Sequence, residues 1–197
     1  MARGDAKRSS DIDLLIVGKS GRLFTVRFFA TFWMSILGIK RSKDTKQNHA
    51  GKICLNYYLA DDYLKIPTGR GEKIDRYCAL NYSKAKYLEG DYRLFEKFIK
   101  ANQQLFQKYH DLGCHPELDS GSRLSRFRIK SGMTFMGTRI IEKMLPGKSG
   151  DWVEAKLKSS QIRRIESDPI TQKYPELIVY NDRELRFHPP KSVSSIK

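Results

Sequence analysis

The chain is poor in cysteine, in histidine and in acid. Its three cysteines, Cys54, Cys78 and Cys114, are odd in number and show no C-x-x-C spacing, which argues against a disulfide framework and against a zinc ribbon. They read as reduced thiols, and the compartment expected from them is the cytoplasm. His110, Cys114 and His115 lie near one another, but nothing supplies the remaining ligands of a metal site, so a surface loop is the preferred reading. Long apolar runs are also missing. The most apolar stretch, Phe28 to Ile39, is too short to span a bilayer, and by the length criterion a buried core helix is preferred to an interfacial one. The first residues are basic but polar through Asp13, unlike a signal peptide. Phosphate-loop glycines are absent too. Gly18-Lys19-Ser20 has Asp13, and Gly147-Lys148-Ser149 has Glu142, where a Walker loop needs glycine.

The deficit of acid is the largest imbalance. Against 37 Lys and Arg stand 22 Asp and Glu, a formal net charge of +15. That balance suits a polyanionic partner, a nucleic acid or the phosphates of a nucleotide; the bland alternative is a solvated basic surface. No RNA-binding aromatic signature and no zinc-finger spacing accompanies it. With 197 residues and 40% hydrophobic content the chain is long enough for a real core, with one domain and an appended module.

Chemistry concentrates in Ser9-Ser10-Asp11-Ile12-Asp13-Leu14-Leu15-Ile16-Val17. The apolar half reads as a buried strand, closed by the turn Gly18-Lys19-Ser20-Gly21. A strand beginning near Asp11 points Asp11 and Asp13 to one face, about 6.5–7 Å apart at the strand rise. Two carboxylates at that spacing suit a hard divalent cation and the phosphates it bridges. A D-x-D pair is also found at solvated strand ends and caps. Here a basic turn with a glycine, Arg3-Gly4-Asp5-Ala6-Lys7-Arg8, precedes it.

The stretch Ala2-Arg3-Gly4-Asp5-Ala6-Lys7-Arg8-Ser9-Ser10-Asp11-Ile12-Asp13-Leu14-Leu15-Ile16 resembles the core signature of the polymerase-beta-like, or minimal, nucleotidyltransferases. The resemblance implies an α+β fold and Mg2+ (or Mn2+) as cofactor, with an NTP as substrate. It implies Asp11 and Asp13 as catalytic and metal-holding residues, and Arg3 and Ser10 as nucleotide contacts. Weaker resemblance to one bacterial branch extends to Cys54-Leu55-Asn56 and to Phe187-His188-Pro189. Two features depart from the pattern. Met1 stands where the family's Gly-Ser pair would end, so the chain reads as starting inside the motif. The family's third carboxylate has no counterpart on the strand Ile53–Leu59. Asp61-Asp62 follow that strand, and a turn or cap role is preferred for them over that of the third acid.

Three functions follow. The first is a nucleotidyltransferase, impaired in this chain, acting on an unspecified protein, RNA or small-molecule acceptor. The second is a non-catalytic basic module that binds nucleic acid or a partner protein. The third, weaker, is a glycosyltransferase holding a sugar nucleotide through D-x-D, since no nucleotide-binding α/β region precedes the aspartates.

Along the chain, Gly21 to Gly38 reads as a helix covered on more than one side, and Lys40 to His49 as a basic loop. Ile53 to Leu59 reads as a strand beside the first. Helices are expected over Glu72–Leu88 and from Asp91, as cap, through Tyr109, forming an antiparallel pair. Residues 110–137 read as an inserted loop. The run from His115 to Thr134 resembles peptides encoded by palindromic DNA repeats that insert in frame in some bacterial genes. Helices over Arg139–Leu145 and Asp151–Ile165 follow, the latter with Trp152, Val153, Leu157 and Ile162 inward. A hairpin of Leu177–Tyr180 and Leu185–His188 turns at Asn181-Asp182. His188 reads as structural, and disorder is expected from Pro189. The fold class expected is therefore α+β: a partial nucleotidyltransferase-fold sheet (1–66), a helical pair (72–109), the insertion (110–137), and C-terminal helices, hairpin and tail (138–197).

Overall fold

The computed structural model describes residues 12–41, 51–69, 71–109 and 147–187. The fold is α+β; the described residues form a four-stranded mixed sheet, six α-helices and a C-terminal β-hairpin. In chain order these are β1 (Ile12–Gly18), α1 (Leu23–Ile36), β2 (Ile53–Ala60), α2 (Glu72–Tyr82), α3 (Tyr92–Ala101), α4 (Gln103–Lys108), α5 (Gly147–Glu166), α6 (Pro169–Lys173), β3 (Ile178–Tyr180) and β4 (Glu184–Phe187).

β1 and β2 pair in parallel, as a helical crossover between two strands requires, and α1 is that crossover. The hairpin then returns to the sheet. β4 pairs antiparallel to β2, with Tyr57 opposite Arg186, and β3 closes the far side, giving the order β1-β2-β4-β3. β2 is thus an inner strand with helices over both faces. Tyr58, Ala60 and Leu185 pack with Leu23 and Phe24 of α1 and Leu157 and Ile162 of α5. Tyr57 and Leu59 point the other way, into a core with Ile74 and Cys78 of α2, Phe98 of α3 and Phe106 of α4. Burial on both faces explains why Ile53 to Ala60 is nearly continuous in apolar residues rather than alternating.

Several expectations need correcting. α2 ends at Tyr82 rather than Leu88. Beyond it Ala85 N–H closes a tight turn on the Tyr82 carbonyl, and Tyr87 leaves the helical path to pack on Tyr92, with ring centroids 5.2 Å apart. Leu88, expected inward, is exposed. The helix from Asp91 is capped as read, its side chain accepting from Arg93 N–H, but it breaks at Asn102 into α3 and α4. α2 packs chiefly on α4 rather than along α3. α5 starts at Gly147, four residues before Asp151, and Trp152 faces solvent. α1 was expected to be covered on more than one side. Its Phe28, Phe32, Trp33, Ile36 and Leu37 are exposed. Residues 110–137 and 139–146, His188 and the tail from Pro189 lie outside the described residues.

Candidate functional site

Of the residues singled out from sequence, Arg3, Ser10 and Asp11 lie outside the described residues. Asp13 is the second residue of β1 and is exposed, with the apolar residues Leu14 to Val17 following it into the sheet. The opening of an otherwise apolar strand places a carboxylate at solvent while its neighbours are anchored, so Asp13 is held by a rigid element.

The adjacent strand shapes its surroundings. Asp13 is opposite Cys54 and Leu15 is opposite Tyr57, so β2 spends one extra residue across from Leu14. This is a β-bulge, a device that re-aims side chains at the end of a pairing. Leu55 packs on the α1 side, whereas Tyr57 joins the opposite core with Leu15. Asn56, between them, brings its side-chain amide to Asp13, donating from Nδ2 to Oδ1 at 3.4 Å. The side chain that meets Asp13 from this strand is therefore a neutral amide and not a carboxylate. Basic groups approach from the same end. Arg41 lies against the Cys54 thiol, Nη1 to Sγ 3.7 Å, and Arg41 N–H binds the Ile53 carbonyl at 2.8 Å. Lys52 precedes β2, and its carbonyl accepts from Ile12 N–H at 2.8 Å.

The other end of the β1–β2 pair is built differently. Doubly wound sheets bind phosphates at the carboxyl ends of parallel strands, where backbone donors of the following helix are free. Here carboxylates of the chain take those donors. Glu154 of α5 accepts from Phe24 N–H at 2.9 Å and from Thr25 N–H at 2.8 Å. Asp151 pairs with Arg22 at 2.6 Å. In the β1–α1 turn, Ser20 N–H donates to Asp61 at 2.9 Å and its hydroxyl to Asp62 at 2.9 Å. Gly18-Lys19-Ser20 is thus a turn braced by acids, a poor place for a phosphate. Asp61 and Asp62 have the turn role preferred for them. Because Gly18 pairs with Ala60, Asp61 sits about 16–17 Å along the sheet from Asp13, too far to share an ion with it.

Neither of two clefts adjoins Asp13. One of about 410 Å³ is lined by Tyr63, Pro67 and residues 181–184 of the hairpin turn. Another of about 380 Å³ lies between the loop of Lys65 to Gly69 and α4. Among the described residues no group of three or more His, Cys, Asp or Glu is placed to hold a metal ion.

Sequence reasoning missed a charged cluster in the core. Arg186 and Glu184 of β4 are buried, with Nε and Oε1 3.3 Å apart, and Arg186 Nη1 meets the Cys78 sulfur at 3.2 Å. Burial works against the guanidinium charge, but Cys78, Glu184, Tyr57 and Tyr82 around it raise its pKa above the ordinary value. The cluster is sealed inside the core, which fits a structural role. The alternation Glu-x-Arg in a short strand is its only trace in the sequence, and there it looks like a solvated face.

Comparison of the chain with known protein families, with curated proteins and with solved structures returned no match.

Proposed function

We propose that the chain carries a nucleotidyltransferase-type site at the start of β1, able to bind a metal–nucleotide complex and weak in transfer. The observation that supports it best is Asp13, an exposed carboxylate fixed at the mouth of an apolar strand, beside a bulge and an amide. Its oxygen donors, with those of Asp11 two residues before it, suit magnesium or manganese, which prefer carboxylate and carbonyl oxygen. Such an ion, when bound, supplies Lewis-acid polarisation of a phosphate. Asp13 anchors the charge, and the Asn56 amide orients Asp13. The Arg41 guanidinium, held against Cys54 opposite Asp13, makes this end of the sheet attractive to phosphate. Weak transfer follows from the chemistry of Asn56. An amide carries no charge to help deprotonate an acceptor hydroxyl. Losing one preorganised charge-stabilising group commonly costs about 10²–10³ in rate.

The test is a manganese titration followed by NMR. Paramagnetic broadening is expected first at the amides of Asp13 and Asn56, and it should vanish in Asp13→Asn. Broadening that ignores this substitution refutes the site. Incubation with labelled ATP or GTP and a cell extract tests the second half, since robust label transfer abolished by Asp13→Asn would contradict weak transfer. The net charge of +15 favours a second reading, a basic module that binds nucleic acid or a protein without catalysis. Salt-dependent RNA binding unaffected by Asp13→Asn, with no manganese site, would select it.

A further inference from the structure

α1 buries one side and leaves the other bare. Leu23 and Phe24 lie in the core beneath β2 and α5, and Met34 is buried further along. On the opposite side Phe28, Phe32 and Ile36 recur every fourth residue, with Trp33 and Leu37 beside them, and these five are between 41% and 60% exposed. The rings touch one another. Phe28 stacks on Phe32 at 6.1 Å, and Phe32 meets Trp33 edge-on at 5.5 Å. The result is a continuous aromatic surface on a helix about 21 Å long. Surfaces of this kind mark interaction sites.

The stretches of chain that carry and follow this surface are basic. Residues 19–41 and 51–60 include Lys19, Arg22, Arg27, Lys40, Arg41 and Lys52 and no Asp or Glu. Arg22 is answered by Asp151 at the N-terminal end of α1, away from the rings. At the other end Lys52 Nζ donates to the Gly38 carbonyl at 2.5 Å, which fixes an ammonium next to exposed Leu37. Lys40, also exposed, follows two residues after Gly38.

We propose that this face lays α1 flat on an anionic lipid surface. Phe28, Phe32, Trp33 and Ile36 enter the boundary between headgroups and acyl chains, and Lys40 and Lys52 meet the lipid phosphates. Aromatic and aliphatic side chains bordered by cations are the arrangement that binds at that depth. A second copy is the poorer occupant, because it sets the same cations against each other in a chain of net charge +15. An anionic surface reverses the sign of that interaction. The contact is peripheral, since no helix among the described residues is long and apolar enough to cross a membrane.

The experiment uses the full chain with Trp152→Phe, which leaves Trp33 as the reporter. It is mixed with vesicles of equal phosphatidylcholine and phosphatidylglycerol, and separately with phosphatidylcholine alone. On the mixed vesicles Trp33 emission should shift to the blue and the protein should sediment with lipid, less so at high salt. The triple variant Phe28→Ser, Phe32→Ser, Ile36→Ser should lower binding at least about tenfold, since each side chain removes an apolar anchor. Lys40→Glu with Lys52→Glu should weaken it without touching the rings, which guards against a folding defect in the triple variant. No sedimentation with mixed vesicles overturns the proposal, as does equal binding to neutral ones. A blue-shifted Trp33 and a doubled mass in lipid-free ultracentrifugation would assign the face to a second copy instead.

Discussion

Thr25 gives Glu154 two hydrogen bonds, from its backbone N–H at 2.8 Å and from its hydroxyl at 2.5 Å, across 129 residues of sequence. α1 has no side-chain cap of its own and no acid in its first turn. Glu154 supplies both functions from α5: it satisfies orphan donors and places a negative charge at the positive end of the helix. It also ties the two helices together on one face of the sheet. Glu154→Ala leaves buried N–H groups unpaired and should cost about 3 kcal/mol, since bonds to a charged acceptor are the stronger kind. Glu154→Gln keeps one acceptor and should lose roughly half of that. Urea unfolding of the full chain measures both.

What the sequence made legible was apolar periodicity. β1, β2 and the hairpin were readable because runs of Ile, Leu, Val and Tyr stood between turn residues, and Asp13 was readable because alternation places it at the strand's open end. Hydropathy says how much of α1 is apolar but not which side the rest of the chain reaches, so its bare face was not foreseen. Glu154 and Asn102 were missed because a polar residue on a helix looks solvated until its distant partner is known. The meeting of Asn56 with Asp13 depends on a one-residue bulge, a register detail that composition does not carry.

Asn102 should be the most sensitive polar position in the helical layer. Its buried side chain accepts from Ile66 N–H at 2.7 Å and donates to the Leu64 and Phe98 carbonyls, both at 2.8 Å. It locks the loop after β2 onto the break between α3 and α4. Asn102→Ala should cost about 2–4 kcal/mol, because three backbone groups lose a partner where water does not reach. Asn102→Asp should be worse, as it turns a donor into a charge facing two carbonyls. Faster hydrogen exchange at the Ile66 amide would accompany the loss of stability. An unchanged exchange rate would mean the loop is held by other contacts.

The Glu184–Arg186 pair should behave as a unit. Arg186→Met alone removes the cation from a buried carboxylate and should cost about 3–5 kcal/mol. Replacing both, Glu184→Leu with Arg186→Met, should recover most of that loss, because neither charge then needs solvating. A double-mutant cycle by chemical denaturation gives the coupling. Additive losses would show that the two side chains contribute independently.

Alkaline pH should unfold the chain through groups that the core keeps protonated. Burial pushes the Cys78 thiol from 9.0 up to about 11, with the nearby Arg186 working in the opposite direction. Burial likewise pushes Tyr58 from 10.0 up to about 12, and Tyr57 and Tyr82 well above the usual value. For an acid raised in the folded state, the unfolded chain loses its proton first. The folded state then binds more protons, so stability falls as pH rises. The contribution of Cys78 is whole below about pH 9 and gone near pH 11, a loss of roughly 2–3 kcal/mol, and the tyrosines extend the decline above pH 10. Unfolding free energy should thus be insensitive to these groups up to about pH 8 and drop steeply from pH 9. Cys78→Ala should flatten the first part of the drop while leaving the tyrosine part. In a chain with Cys54→Ser and Cys114→Ser at pH 8, Cys78 should resist thiol reagents until denaturant is added. Rapid labelling of the native chain, or a stability curve level to pH 11, would show that this thiol is open to water.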